Sequence, residues 1–458
     1  MNNTIPVIAI FDVGKTNKKI FLFDREYKIV YEHSDKFDET KDEDGDPCED
    51  IDLLTRWCVE SFYKLKTLKG FSLCAVNFSA YGASFVHIDE QGNPLLPLYN
   101  YLKPYPSALK EKFFEDHGGE KAVSMATSSP VLGSLNSGMQ LYRLKHEKDL
   151  FASKGYSLHL PQYLSYLITR RPYSDITSVG CHTMLWDFSN NCYHQWVTEE
   201  NIKNRLAPLF SCDEIIGIAD KNDLIAGAGL HDSAAALIPY LSSFRQPFVL
   251  LSTGTWCISL NPFNETPLTA HELEQDCLCY MTYKGSPVKA SRLFAGHEHE
   301  IQVKKLAWHF GKELNHFKTV DYNLSTIQYL QENFIQDDLN QYFSPGPSFF
   351  NQRVLAHFRS YEEAYHQLIL DIVSQQVRST QIIMRSPEVK RLFVDGGFSK
   401  NPIFMNLLAV SFPDIQVFAA SVAQATAIGA ALAIHRHWNP QEIPKNLIDL
   451  KYYGPGQV

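Results

Sequence analysis

Asp12, Gly14, Lys15, Thr16, Asn17 and Lys19 stand between two apolar runs, Val7 to Phe11 and Ile20 to Phe23. An acid, a hydroxyl, an amide, two lysines and a glycine so close together suit a bound polyphosphate. Glycine lets backbone N–H groups approach the anion, the lysines offset its charge, and a nearby acid can orient a hydrated Mg²⁺. Apolar runs flanking a short Gly-containing polar stretch predict a β-hairpin that carries this chemistry at its tip. The letters Gly14-Lys15-Thr16 also match the end of a P-loop. That motif needs a glycine where Ala9 stands and a helix afterwards, and here a strand pattern follows. An ordinary polar surface turn would show the same letters.

The pattern occurs again. Pro247 to Leu251 is apolar, Ser252-Thr253-Gly254-Thr255 is a second hydroxyl-rich, glycine-centred tip, and Trp256 to Leu260 is apolar again. A repeated strand, turn, strand unit predicts two phosphate-gripping hairpins, one in each half. The expected fold is α/β, with two actin-like (ribonuclease-H-like) domains, residues 1–243 and 244–458, and a cleft between them.

Other residues able to do chemistry lie at predicted element ends. Gly227 to Ala236 joins a glycine-rich turn to a small-residue helix, with His231 and Asp232 at its start. A helix N-terminus favours a carboxylate, so Asp232 is expected to be ionised and able to accept a proton, or to serve only as a cap. Tyr81-Gly82 follows a strand, where a small polar ligand can approach the backbone closely. Gly396-Gly397 follows another strand, with Asn401 and Pro402 as cap and first residue of a helix. His297, Glu298 and His299 are read as part of a polar loop continuing from Ser291 to Gly296. Cys277, Cys279 and His271 lack the second ligand pair of a zinc finger.

Positioning elements follow from periodicity. Asp50 is expected to cap a helix with Ile51, Leu54, Cys58, Phe62 and Leu65 on one face. Further helices are expected over Leu160 to Thr169 and Phe358 to Met384, and a tightly packed one at Ala423 to Ala431, whose small residues leave little bulk. The acid-rich segment from Lys36 to Asp50 is expected to be a solvated loop.

Composition agrees. A chain of 458 residues, 45% apolar and 20% charged, is an ordinary globular mix with room for two cores. Its net charge of −9 argues against a nucleic-acid partner. No apolar run is long enough for a membrane span and no signal sequence is read, so a cytoplasmic protein with reduced cysteines is expected.

Taken in order, the Asp-x-Gly hairpin, the His231-Asp232 helix, the Ser-Thr-Gly-Thr hairpin, the Gly-Gly-x-Ser-x-Asn turn and the Ala-Thr-Ala-x-Gly-Ala-Ala helix resemble the FGGY family of carbohydrate kinases. The resemblance spans almost the whole chain and implies transfer of the ATP γ-phosphate to a sugar hydroxyl, with Mg²⁺. It makes Asp232 the base and Asp12 the acid near the metal. Lys15, Thr16, Asn17, Lys19, Thr253, Gly254, Thr255, Gly396, Gly397 and Asn401 are then on ATP, and Tyr81, Gly82, Asn100, His231 and Trp256 on the sugar. Trp256 in place of the commoner serine is similar to the rhamnulose and fuculose kinases, which implies a 6-deoxyketose. Xylulose or ribulose kinase, a sugar sensor that binds ATP without chemistry, and an actin-like ATPase are the alternatives. Lys15, Lys19 and Asn100 depart from the family pattern, Lys19 replacing a usual arginine and Asn100 an aspartate. The expected partner is a small sugar; a homodimer is left open.

Overall fold

The computed structural model describes residues 4–148, 153–218, 223–333, 348–384 and 388–454. The chain forms two compact units, one of residues 1–244, 279–287 and 423–447 and one of residues 245–278, 288–422 and 448–458.

In the first unit β1 (Ile5–Val13), β2 (Lys18–Phe23) and β3 (Ile29–Asp35) form an antiparallel meander. The register sets Asp12 opposite Lys19. Helix α1 (Ile51–Lys66) crosses to β4 (Phe71–Ala80), which pairs parallel to β1. Asp50 caps α1 by accepting from the Leu53 N–H at 2.9 Å, and the expected stripe of Leu54, Cys58, Phe62 and Leu65 is buried, joined by Trp57. Helix α2 (Leu160–Thr169) has the bounds its apolar run suggests. Two short strands, β5 (Ile225–Ala226) and β6 (Leu230–His231), pair parallel to β4, and β6 runs straight into α3 (Asp232–Ser243). A one-turn helix, Ile176–Val179, is capped by Asp175. The helix Glu120–Ala126 was not legible from its pattern.

The second unit repeats the arrangement. β7 (Phe248–Thr253) pairs antiparallel with β8 (Cys257–Asn261) and parallel with β10 (Arg391–Gly396). β9 (Pro287–Leu293) flanks β8, while β11 (Gln416–Ser421) and β12 (Asp449–Tyr453) extend the sheet beyond β10. Helices α4 (Ala295–Phe310), α5 (Tyr361–Ile383) and α6 (Pro402–Ser411) are among its helices. Each hairpin tip therefore follows a strand that has an antiparallel hairpin partner on one side and a parallel neighbour on the other, the parallel strand ending at Ala80 in the first unit and at Gly396 in the second. The loop expected from Ser291 through His299 is not there: β9 runs to Leu293 and α4 begins at Ala295, so His297, Glu298 and His299 are helical. Gly296 had signalled a loop. It is a glycine for another reason: a Cβ there would lie 1.9 Å from the Gly254 carbonyl oxygen.

The small-residue segment near the chain's end forms α7 (Ala425–Ala433), which packs on α3 in the first unit. A Cβ on Gly429 would lie 1.9 Å from the Ala235 carbonyl oxygen, and Asn77 Nδ2 donates to the Ala430 carbonyl at 2.8 Å. Overpacking a backbone contact of this kind costs about 1–3 kcal/mol. Gly429→Ala is expected to lower the urea unfolding midpoint accordingly, and an unchanged midpoint would contradict this packing. Among the described residues no helix is long and apolar enough to cross a membrane.

Candidate active site

The tip of the β1–β2 hairpin is a turn closed by the Gly14 N–H donating to the Asn17 carbonyl at 2.9 Å. Thr16 and Asn17 are exposed there, while Lys15 and Lys19 are half-buried. Lys18, between them in sequence, points the other way: it is fully buried and ion-paired with buried Glu49. Glu49 also accepts from Tyr81 Oη at 3.1 Å, so one carboxylate ties the hairpin to the end of β4. Neither Lys18 nor Glu49 carries a motif, and only the three-dimensional pairing marks them.

Lys15 Nζ lies 2.7 Å from Glu39 Oε1. The same oxygen accepts from Asn100 Nδ2 at 3.3 Å, while Asn100 Oδ1 accepts from the Leu102 N–H at 2.9 Å. Lys15 and Asn100 are thus joined through Glu39. Lys15 also lies 5.9 Å and 6.0 Å from the ring centres of Tyr81 and Tyr101. Nearby, Lys103 Nζ sits among Asp42, Asp44 and Asp46, at 2.8 Å and 3.0 Å from the last two. The acid-rich segment is therefore held by a lysine rather than freely solvated, and the chain supplies the cation for this acidic cluster.

Asp12 Oδ2 accepts from Thr426 Oγ1 at 2.7 Å, and Lys19 Nζ donates to Gln424 Oε1 at 3.4 Å. Both partners come from the α7 end of the chain, too far along it for sequence reading to pair them. Burial pushes the Asp12 carboxyl up to about 6 against its hydrogen bond from Thr426, with the charge of Asp232 adding to the rise and Lys19 opposing it. Asp232 is likewise raised to about 6 by burial, against hydrogen bonds from Ser233. Its side chain is 33% exposed, so one side of the carboxyl faces out. Oδ1 accepts from the Ser233 N–H at 2.6 Å. The helix terminus alone suggested a carboxylate held low; its enclosure outweighs that, although Asp232 stays mostly ionised at pH 7. It is not the cap of α3: His231 is, its Nδ1 accepting from the Ser233 N–H at 3.1 Å. Gly82 is needed beside it, because a Cβ there would lie 2.2 Å from His231 Nε2. Burial raises the Tyr101 phenol, and the charge of Asp232 adds to the rise.

Two enclosed carboxylates, close enough for the charge of Asp232 to raise Asp12, form an oxygen-rich pair, a donor set of the kind a hard divalent cation takes. Asp12, its position fixed by Thr426, fits such an ion.

In the second unit a cavity of about 670 Å³ is lined by Thr253, Gly254, Gly296, His299, Phe317, Lys318, Gly397, Lys400 and Asn401, among others. That size suits a nucleoside-scale ligand. Asn401 caps α6, accepting from the Ile403 and Phe404 N–H groups, and donates to Tyr365 Oη at 2.8 Å. Tyr365 Oη is 3.0 Å from His299 Nε2; burial lowers that imidazole to about 4 and keeps it neutral. Gly396 has φ 90° and a Cβ there would lie 2.0 Å from the Thr253 carbonyl oxygen, so the chain itself requires this glycine. Gly397 lines the cavity. Thr255 is exposed, and Trp256, 40% exposed, has its ring 4.4 Å from that of Phe294 and under the Arg292 guanidinium. Lys318, Phe317 and Lys400 are pocket residues that sequence reading missed, since isolated surface-type residues carry no periodic signal.

Residues 7–235 match the N-terminal domain model of the FGGY family of carbohydrate kinases, half of the chain. The chain belongs to the FGGY family. Residues 245–321 match a C-terminal domain model of the same family. Over 274 residues, 57% of this chain, it is 23% identical to the rhamnulokinase of Bacillus subtilis (strain 168), and the match spans 55% of that protein's length. Two solved structures share the fold over 99% of this chain. A carbohydrate kinase from Novosphingobium aromaticivorans has a TM-score of 0.82 at 22% identity, with 95% of its chain covered. A ligand-bound xylulose kinase from Lactobacillus acidophilus has 0.79 at 16%, with 94% covered. FGGY membership accounts for the duplicated hairpin-and-parallel-strand arrangement of the two units.

Proposed function

We propose that this FGGY protein transfers the γ-phosphate of ATP to a hydroxyl of a ketose, with a 6-deoxyketose such as L-rhamnulose or L-fuculose as substrate. The observation that carries this reading is Asp232: an enclosed but partly open carboxylate at the start of α3, mostly ionised at neutral pH and unpaired by any lysine or arginine among the described residues. Such a group accepts the proton of the attacking hydroxyl as the phosphoryl group moves, and ADP leaves. Tyr81, Gly82, Asn100 and His231 shape the sugar side in this reading, with Trp256 offering an apolar surface to the 6-methyl group. Lys15, Thr16, Asn17 and Lys19 hold phosphate oxygens at the first tip and Thr253, Gly254 and Thr255 at the second, while Gly396, Gly397 and Asn401 serve the nucleoside. Mg²⁺, when bound with the nucleotide beside Asp12, supplies charge neutralisation of the phosphates. The rhamnulokinase relative supports the substrate branch. The nine cysteines, none in a disulfide, fit a reducing cytoplasm.

ADP release with Mg²⁺ and ATP, measured across rhamnulose, fuculose, xylulose, ribulose and glycerol, tests this. Strong preference for one 6-deoxyketose is expected. Preference for xylulose or ribulose would overturn the substrate, and sugar-independent ADP release would overturn the kinase reading in favour of an ATPase. Lys19→Ala is expected to raise the KM for ATP about tenfold, the worth of one hydrogen bond to a charged phosphate; an unchanged KM would remove Lys19 from the nucleotide.

A further inference from the structure

We propose that Cys181, His182 and His231 form a binding site for Zn²⁺, separate from the Mg²⁺ of the nucleotide, and that its occupancy arrests phosphate transfer. One ligand atom from each of these three buried residues lies within 4.8 Å of the others. Cys181 Sγ and His231 Nε2 are already 3.3 Å apart. Tetrahedral zinc, with bonds of about 2.3 Å to sulfur and 2.0–2.1 Å to nitrogen, sets neighbouring ligand atoms about 3.3–3.6 Å apart. A contraction of about an ångström closes the triangle.

The outer contacts are those a metal-bound imidazole uses. His182 Nδ1 is 3.2 Å from the Leu135 carbonyl oxygen, a contact that calls for N–H on that nitrogen. His231 Nδ1 is 3.3 Å from Asp232 Oδ1. Without metal, Nδ1 accepts from the Ser233 N–H and the ring proton sits on Nε2, facing sulfur. The Ser233 N–H has a second and closer acceptor in Asp232 Oδ1, at 2.6 Å. The ring proton can therefore move to Nδ1 without orphaning the backbone donor. Nε2 is then free for the metal and Nδ1–H is directed at Asp232.

His182 is held in place before any ion arrives. Its φ is 41° and that of Met184 is 63°, both left-handed. Asn136 Nδ2 donates to the His182 carbonyl at 2.7 Å, and the Gly138 N–H donates to the Thr183 carbonyl at 2.9 Å. A strained backbone persists only where its surroundings impose it. His182, at 9% exposure, is the most accessible of the three and marks the way in. A thiolate and two imidazoles select zinc-like ions, whereas the oxygens of Asp12 suit magnesium. On binding, the Cys181 thiol gives its proton to solvent and the sulfur and nitrogen lone pairs form the new bonds. The arrest rests on the reading of Asp232 as base: a hydrogen bond from His231 Nδ1–H to Oδ1, added to the one from the Ser233 N–H, makes the whole carboxylate a weaker acceptor for the sugar proton.

Full-length protein stripped by a chelator and titrated with Co²⁺ tests the site. One ion per chain is expected, with tetrahedral visible bands and a thiolate-to-cobalt charge-transfer band that Zn²⁺ abolishes. Cys181→Ser should lose the charge-transfer band and His182→Ala should weaken binding about tenfold or more. Persistence of the band in Cys181→Ser, or undiminished affinity in His182→Ala, would overturn the site, and the second variant decides if the first does not fold. For the arrest, Zn²⁺ with Mg²⁺ in excess should inhibit the parent and spare Cys181→Ser; equal inhibition of both would overturn it. If no sugar is turned over, the proposed kinase function fails while the cobalt spectra still decide the metal site.

Discussion

Asp232→Asn is expected to lower kcat by about 10²–10⁴-fold, the range a positioned general base supplies, with little change in the KM for ATP. It should also make the protein more stable at pH 7. Burial raises the folded carboxyl from 3.8 to about 6, so the folded state holds this proton more tightly than the unfolded chain does. Below 3.8 both states are protonated and the group is neutral in its effect. The penalty develops as pH rises from 3.8 through 6 and is complete above that. Asparagine removes it, for a gain of about 1 kcal/mol, less than the shift alone implies because a third of the side chain meets water. In the parent, kcat/KM should fall on the acid side with a midpoint near 6. Thermal unfolding and steady-state kinetics on the two proteins check all three points. Retained turnover would remove Asp232 from the chemistry, and lost stability would mean its carboxylate is satisfied by the fold.

Glu49→Leu carries the second large effect, on folding rather than turnover. Lys18 is fully buried and ion-paired with Glu49, and its only other hydrogen bond among the described residues goes to the Lys15 carbonyl at 3.2 Å. Removing one partner of a buried pair leaves an uncompensated charge and costs about 3–5 kcal/mol. The double change Lys18→Met with Glu49→Leu should recover most of the loss, since two apolar groups of similar volume need no partner. Denaturant unfolding of the single and double variants measures this. A double variant no more stable than Glu49→Leu would show that Glu49 acts mainly through Tyr81.

The hairpins were legible because strand periodicity and glycine-centred tips are local properties, and each recurs with the same neighbours. Caps at Asp50 and Asn401 were legible for the same reason: cap and first turn are adjacent in the chain. What was not legible depends on approach between distant segments. Gly296 looked like a loop residue, yet it sits in the first turn of α4 because the Gly254 backbone leaves no room for a side chain. Glu39, which links Lys15 to Asn100, lay in a segment whose acidity suggested only solvation. The charge state of Asp232 needed both a helix terminus, visible in sequence, and an enclosure, which is not.

Helix α7 has a consequence for how the molecule is made. The first unit includes residues 423–447, and the α3 backbone meets Gly429 there. During synthesis α3 leaves the ribosome long before its packing partner, so the small-residue face of Ala234 and Ala235 waits uncovered while nearly two hundred further residues are added. Domains usually fold in the order in which they emerge. Here Asp12 and Lys19, whose partners Thr426 and Gln424 also belong to that late segment, reach their final surroundings only after the second sheet's β7 to β11 have been translated. A nascent chain therefore cannot complete its acidic pair early, and the ordering of that site waits for the translation of residues 423–447.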